Sequence, residues 1–431
     1  MNRNASCIFF AIVLVLAVSD GTFAEEKKNR GDYLTVQIAV IGPGDELYFW
    51  WGHLGLIIED KLSGTSKFYD YGVFSFDNEN FFLNFAFGRL LYTSTVSDTR
   101  DILRRYIETN RDIAIYTLNL NARQKEAVMR AAERNILPEY RDYLYNHFSD
   151  NCVTRTTNLL DDALDGQFYA MAKSTPGRLT LREHVRRHTY FSPFWDWLLN
   201  FLMGQGIDAP STVKEELFLP SEVGRVLQTF YYIDANGAKE PLLSSVEILN
   251  TSKGRPPVLD APRARWPYGL CYGAAVSLVL LMLMLLSKKL PAGRVLLGLS
   301  QSLLGLFFGL AGTVAGFMTF FTNHDYTWHN INVLFVNPLL LAAVPLGLKS
   351  AFGKNENGRA LSEKILKGLW TYVFSGGVLT MLIKLSPAFY QQNQVTLALV
   401  LPFAFTLSFI PVWIGKIPHN PHPSGKRNPE G

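Results

Sequence analysis

The sequence predicts an α+β exported domain followed by an all-α membrane domain of five transmembrane helices. Three observations predict it: a short apolar segment at the N-terminus, strand-like runs mixed with helical stretches over residues 33–163, and five long apolar runs after residue 266. The chain has 431 residues, 48% of them hydrophobic and 13% aromatic, which is more than one ordinary domain holds. Its formal charge of +4 is spread through loops. No stripe of Lys and Arg of the kind that neutralises phosphates is present, so no nucleic-acid partner is expected.

Residues 1–24 have the three parts of a secretory signal. Arg3 supplies a basic start, Cys7 to Val18 an apolar core, and Thr22-Phe23-Ala24 a small-residue end before Glu25-Glu26-Lys27-Lys28. The apolar core is about a dozen residues, short of the roughly 20 that span a bilayer; an uncleaved anchor is the competing reading. Residues 25–249 then read as an exported domain and 250–266, rich in Pro, Gly and Arg, as a linker. In the exported domain, residues 33–42 and 53–59 are β-rich, 61–66 read as a turn, and 67–74 as the returning strand. Another strand is expected over 112–119. A helix follows over 122–136, with Asn121 as N-cap and Ala127, Val128 and Ala131 on its apolar face. After Tyr140, Tyr143, Tyr145 and Phe148, a helix opens at Asn151-Cys152 and runs to about Ala163.

The membrane domain covers 267–415, with apolar runs at 267–287, 294–321, 332–348, 368–386 and 395–415; residues 416–431 form a cytoplasmic tail. Basic residues fall in alternate loops: Lys288, Lys289 and Arg294, then Lys349, Lys354, Arg359, Lys364 and Lys367, then Lys416 and Lys426. The turns 322–331 and 387–394 have no Lys or Arg. The positive-inside rule places those two turns outside, on the side of the exported domain. The expected location is the bacterial inner membrane, with the N-terminal domain in the periplasm.

Cys152 is the one cysteine between residues 25 and 265. In an oxidising compartment cysteines pair or are absent, so an odd thiol points to chemistry. A helix start lowers a thiol's pKa and leaves the cysteine's own amide, with a neighbouring donor, for an oxyanion. Four histidines could serve it as base. His53 begins an apolar strand, where a ring needs a partner. His147, among tyrosines, reads as a rim or structural residue. His184 and His188 have the i, i+4 spacing of metal ligands, but Arg186 and Arg187 between them argue against a cation.

Gly-His at a strand start, followed about 100 residues later by Asn-Cys at a helix start, resembles the circularly permuted papain-like fold shared by lecithin retinol acyltransferase and NlpC-type enzymes. More closely, residues 33–225 resemble the Lnb family of bacterial lipoprotein N-acyltransferases. The similar stretches are Trp51-Gly52-His53-Leu54-Gly55-Leu56, Phe68 to Phe76, Tyr143-Leu144-Tyr145, Asp150-Asn151-Cys152-Val153-Thr154-Arg155 and Phe218-Leu219-Pro220. The five-span tail suits the same family. The resemblance implies Cys152 as nucleophile and His53 as general base, with a third group orienting the imidazole. Asp70, on the returning strand, is the favoured third group; Tyr71 and Asp60 are the alternatives. Asp150, Asn151 and Arg155 are expected to hold the helix start and its loop.

The resemblance also implies the chemistry: acyl transfer from membrane phospholipid, through a thioester, to the N-terminal amine of an apolipoprotein, with no cofactor and no metal. A papain-like cell-wall peptidase or amidase and a non-enzymatic lipid- or lipoprotein-binding protein are the other readings. The outward turn 322–331 carries His324, Asp325 and His329, with Asn337 just inside the next span. That is more polar than a membrane boundary requires, so these residues are expected either to line a headgroup site or to form a structural loop.

Overall fold

The computed structural model describes residues 29–75 and 80–415. The expected signal segment and cytoplasmic tail lie outside the described residues, as does Phe76. The exported domain is built on a seven-stranded sheet in the order β6-β4-β3-β2-β1-β5-β9. Its strands are β1 Leu34–Ile41, β2 His53–Asp60, β3 Thr65–Val73, β4 Leu91–Asp98, β5 Ile113–Leu118, β6 Asp142–Leu144 and β9 Leu243–Asn250. The remaining two, β7 Tyr231–Ile233 and β8 Lys239–Pro241, pair separately. All neighbouring strands in the large sheet run antiparallel.

The sheet is covered on both faces, and period-2 alternation sorts its side chains. Leu54, Leu56, Ile58, Tyr69 and Tyr71 pack with Cys152, Val153, Leu159 and Leu160 of the helix Cys152–Ala163. Ala39, Ile41, Ile57, Phe68, Ile113 and Ile115 form the other layer, against Ile102, Leu103 and Tyr106 of the helix Thr99–Glu108. The expected strands and the helix Ala122–Asn135, capped by Asn121, lie within a residue or two of where the residue pattern put them.

Among the described residues, four helices are long and apolar enough to cross a membrane: Trp266–Ser287, Pro291–Phe321, Ile331–Phe352 and Glu356–Ile383. A fifth apolar helix, Gln394–Gly415, completes the set. The third is not the continuous helix its apolar run suggested. It opens as two 3-10 turns, Ile331–Leu334 and Pro338–Ala342, and becomes α-helical only at Ala343–Phe352. Pro338 has no N–H to continue a helix, and the Asn337 side chain accepts from the Leu339 amide, starting the second turn. The broken segment presses on the preceding span, where a Cβ at Gly312 would lie 2.5 Å from the Asn337 backbone.

Both outward turns touch the exported domain. Gln391 donates to Met203 O, Asn330 donates to Phe201 O and Leu202 O, and Asn332 donates to Phe201 O. Asn332 also accepts from Asn393, so these buried amides satisfy one another. Trp197 of the helix Pro193–Leu202 stacks on Phe307, 5.7 Å between centroids.

Candidate active site

The site starts with the helix Cys152–Ala163, whose first turn is fixed by the residues around it. Asn151, buried, accepts from the amides of Val153 and Thr154 at 2.8 and 3.0 Å, and Thr154 Oγ1 accepts from the Asn151 amide. This is a reciprocal capping box. The other end of the Asn151 carboxamide donates to His147 O and Phe218 O. Arg155 grips Asp150 with two hydrogen bonds of 2.7 and 2.9 Å and lies 3.5 Å over the Tyr143 ring. Asp150, Asn151 and Arg155 thus meet at the helix start. Because the cap occupies the amides of Val153 and Thr154, the Cys152 N–H is the first-turn donor left without a hydrogen bond among the described residues.

His53 enters β2 through Gly52, whose φ of +82° is left-handed and whose missing Cβ would lie 2.6 Å from Ile41 O. The loop before it is tied down by His188, whose Nδ1 meets Trp50 O at 2.9 Å. His53 Nε2 pairs with Asp70 Oδ1 at 3.0 Å, and the same oxygen accepts from the Gly72 amide at 2.8 Å. A Cβ at Gly72 would sit 2.5 Å from His53 Cε1 and 3.1 Å from Nδ1, so the ring lies against bare backbone where β3 bulges. Nδ1 is the nitrogen left over. No hydrogen bond joins it to Cys152 among the described residues, and the two groups act on each other through charge. Catalytic pairs often tighten only when substrate binds.

The electrostatics agree with a charged His53. Burial opposes the imidazolium, but Asp70, Tyr106 and Cys152 hold its pKa well above the ordinary histidine value. Burial likewise opposes the Asp70 carboxylate, yet His53, the Gly72 amide and Arg111 hold its pKa down. Of the other candidates for the third group, Tyr71 points into the opposite core layer, as its place one residue from Asp70 requires. Asp60 closes the far end of β2. There Ser63, Arg30 and the Leu62 amide hold it down to about 2 against desolvation.

Four residues that the sequence did not single out for the site also surround it. Burial raises the pKa values of Tyr92, Tyr106 and Tyr145, and the Cys152 charge raises each further. Arg111 is buried between the rings of Phe49 and Tyr106, at 4.7 and 4.9 Å, with Nε donating to Gly42 O. Its Nη2 has no hydrogen-bond partner among the described residues. Tyr92 and Tyr145 stack at 4.2 Å, and β4, which carries Tyr92, was not read from the sequence. Of the four, Tyr145 alone had an advance signal, in the aromatic run from Tyr140 to Phe148 and in the stretch Tyr143-Leu144-Tyr145.

The remaining histidines divide. His184 meets Glu216 at 2.9 Å and accepts from Arg187, while His188 faces Trp50, so the two share no common point. His147 is packed among Trp51, Phe148, Phe218 and Tyr326, and burial pushes it down to about 4. The outward turn docks against the exported domain next to the site. His324 meets Phe85 O at 2.9 Å and Asp325 accepts from Asn146 at 3.0 Å. The Tyr326 ring lies 5.6 Å from that of Phe148, and its charge would act on Tyr145. His329 is exposed and makes no hydrogen bond among the described residues.

Two comparisons with known families cover most of the chain. Residues 24–187 match the Lnb N-terminal periplasmic domain, and residues 270–414 match the Lnb transmembrane domain. No curated protein and no solved structure matches the chain. The first match holds His53, Asp70 and Cys152, and the second runs from within the first apolar helix to within the fifth. With both domains present in that order, the protein belongs to the Lnb family and is a membrane protein with a periplasmic N-terminal domain.

Proposed function

We propose that the protein is a membrane-bound thiol acyltransferase that N-acylates lipoproteins. The observation that carries this reading is the pairing of His53 with Asp70 beside the capped helix start that holds Cys152, on a domain docked against membrane helices. A thiolate nucleophile and an imidazolium are what two-step acyl transfer needs.

In the first step the Cys152 thiolate attacks the ester carbonyl of a phospholipid. A C–S bond forms, negative charge moves to the carbonyl oxygen, and the Cys152 N–H faces it. The intermediate collapses, the ester C–O bond breaks, and the lysophospholipid alkoxide takes the proton from His53. In the second step the amine of the lipidated N-terminal cysteine attacks the thioester. His53 takes the amine's proton, an amide forms, and the thiolate is released. Asp70 holds the ring so that Nδ1 makes both transfers. The aromatic surroundings favour the amine over water in the second step.

Complementation tests this reading. In cells depleted of their own lipoprotein N-acyltransferase, the wild-type chain should restore triacylated lipoproteins, while Cys152→Ser and His53→Ala should not. Restoration by Cys152→Ser would remove the thioester. Failure of the wild type to acylate in cells that make it stably would favour a cell-wall hydrolase on the same fold.

A further inference from the structure

Between β3 and β4 lies a short helix, Phe81–Ala86, with no polar face to speak of: Phe-Phe-Leu-Asn-Phe-Ala. Three of its side chains are among the most exposed apolar groups of the exported domain: Phe82 at 77%, Leu83 at 58% and Phe85 at 52%. Exposed apolar residues are ordinary when scattered, but three contiguous ones on one turn are not. The location explains them. The helix is fastened to the outer end of the membrane span Pro291–Phe321: Asn323 donates to Phe87 O at 2.9 Å, His324 meets Phe85 O, and Phe87 packs on Phe317 at 5.5 Å between centroids. Phe320 and Phe321, at the end of that span, are themselves 69% exposed. The apolar surface of the helix therefore continues the lipid-facing surface of a membrane helix. Beside it, the Arg89 guanidinium lies 5.8 Å from the Phe87 ring and has no carboxylate partner among the described residues, which suits a phosphate-bearing headgroup layer.

A run of rings leads from the same helix toward the one that carries the thiol. Phe85 stacks with Phe81 at 6.2 Å, Phe81 with Phe74 at 6.1 Å, Phe74 meets Tyr92 at 5.1 Å, and Tyr92 stacks on Tyr145 at 4.2 Å. Tyr92 also lies 6.2 Å from Tyr143, and Arg155 of the helix Cys152–Ala163 sits 3.5 Å over the Tyr143 ring, so the run reaches the helix that carries the thiol. The Cys152 charge acts on Tyr92, Tyr106, Tyr143 and Tyr145.

We propose that the helix Phe81–Ala86 is a lip immersed in the outer leaflet, and that its partner is the hydrocarbon of the bilayer's own phospholipid. A donor's acyl chain passes over it and along the aromatic run to Cys152. The second half of this statement rests on the acyl-transfer reading; the first half does not.

The test uses the full chain in nanodiscs of phosphatidylethanolamine and phosphatidylglycerol. A benzophenone side chain is introduced at position 82 or, as control, at Leu62, an apolar residue 58% exposed in the β2–β3 turn at the other end of β2 from His53. Irradiation should attach phospholipid at position 82 and not at 62, read as a mass shift on the peptide. No adduct at 82, or equal adducts at both positions, would overturn the lip. In the double variant Phe82→Asp/Leu83→Asp, acylation of Cys152 by bilayer phospholipid should fall about tenfold or more, because the charged turn no longer transfers to hydrocarbon. Alkylation of Cys152 by iodoacetamide shows whether the variant's site is intact. An intact variant that is acylated at the wild-type rate would overturn the route. A lipid adduct at 82 in a wild-type protein that never acylates Cys152 would sustain the lip and sink acyl transfer.

Discussion

At the scale of single residues, the account turns on how His53 is held. Its Nε2 is spent on Asp70, and Asp70 in turn is fixed by the Gly72 amide, so the ring presents Nδ1. His53→Ala should lower the rate of Cys152 acylation by about 100- to 10,000-fold, the usual worth of a positioned acid and base. Asp70→Asn should have a different signature. Without the carboxylate, the pKa of His53 falls toward its ordinary value, so the alkaline limb of the pH–rate profile moves to lower pH. A profile that drops in height with an unmoved limb would contradict the pairing. The same shifts set a stability window. A raised His53 pKa adds stability below about pH 6.5 that is lost as pH rises through the folded-state value. A depressed Asp70 pKa adds stability above about pH 4 that is lost as pH falls through its folded value. Gly72→Ala probes position alone. The new Cβ would meet His53 Cε1 at 2.5 Å, displacing the ring. Activity should fall about 100-fold while the melting curve changes little; retained activity would show that the ring's seat does not matter.

At the scale of elements, the cysteine helix illustrates what a sequence makes legible and what it does not. Asn151-Cys152 announces a helix start by local chemistry, and the helix begins at Cys152 and ends at Ala163, where the residue pattern put its end. The strand of His53 and its return through Asp70 were legible for the same reason: alternation and a polar turn act within a few residues. Arg111 and Tyr106 were not, because they reach the site from a loop and a helix that the sheet order brings beside β2, and nothing in their neighbours records it. The third membrane span was read as one helix because hydropathy does not register the break that Asn337-Pro338 imposes. The cap gives a prediction at this scale. Asn151→Ala removes the acceptor for two amides and should destabilise the exported domain by about 0.5–2 kcal/mol, read as a lower denaturation midpoint. Asn151→Asp keeps that acceptor but loses the bonds to His147 O and Phe218 O, and should fall between the two. An alanine variant as stable as wild type would mean the helix start is held elsewhere.

At the scale of the whole molecule, the two domains are one device. The outward turns of the membrane domain end on backbone carbonyls of the exported domain, which fastens that domain to the membrane helices. The charge pattern of the loops already placed both turns on that side, while the contacts themselves depend on folded geometry. The central claim is that Cys152 carries the acyl chain, and intact-protein and peptide mass spectrometry tests it most directly. Purified full-length protein incubated with phospholipid, without an amine acceptor, should gain the mass of one acyl chain on the peptide containing Cys152. Hydroxylamine should remove it, as it does a thioester, and His53→Ala should form it far more slowly. A wild-type protein that acylates an apolipoprotein yet never carries an acyl group on Cys152, or a Cys152→Ala variant that remains active, would contradict the account.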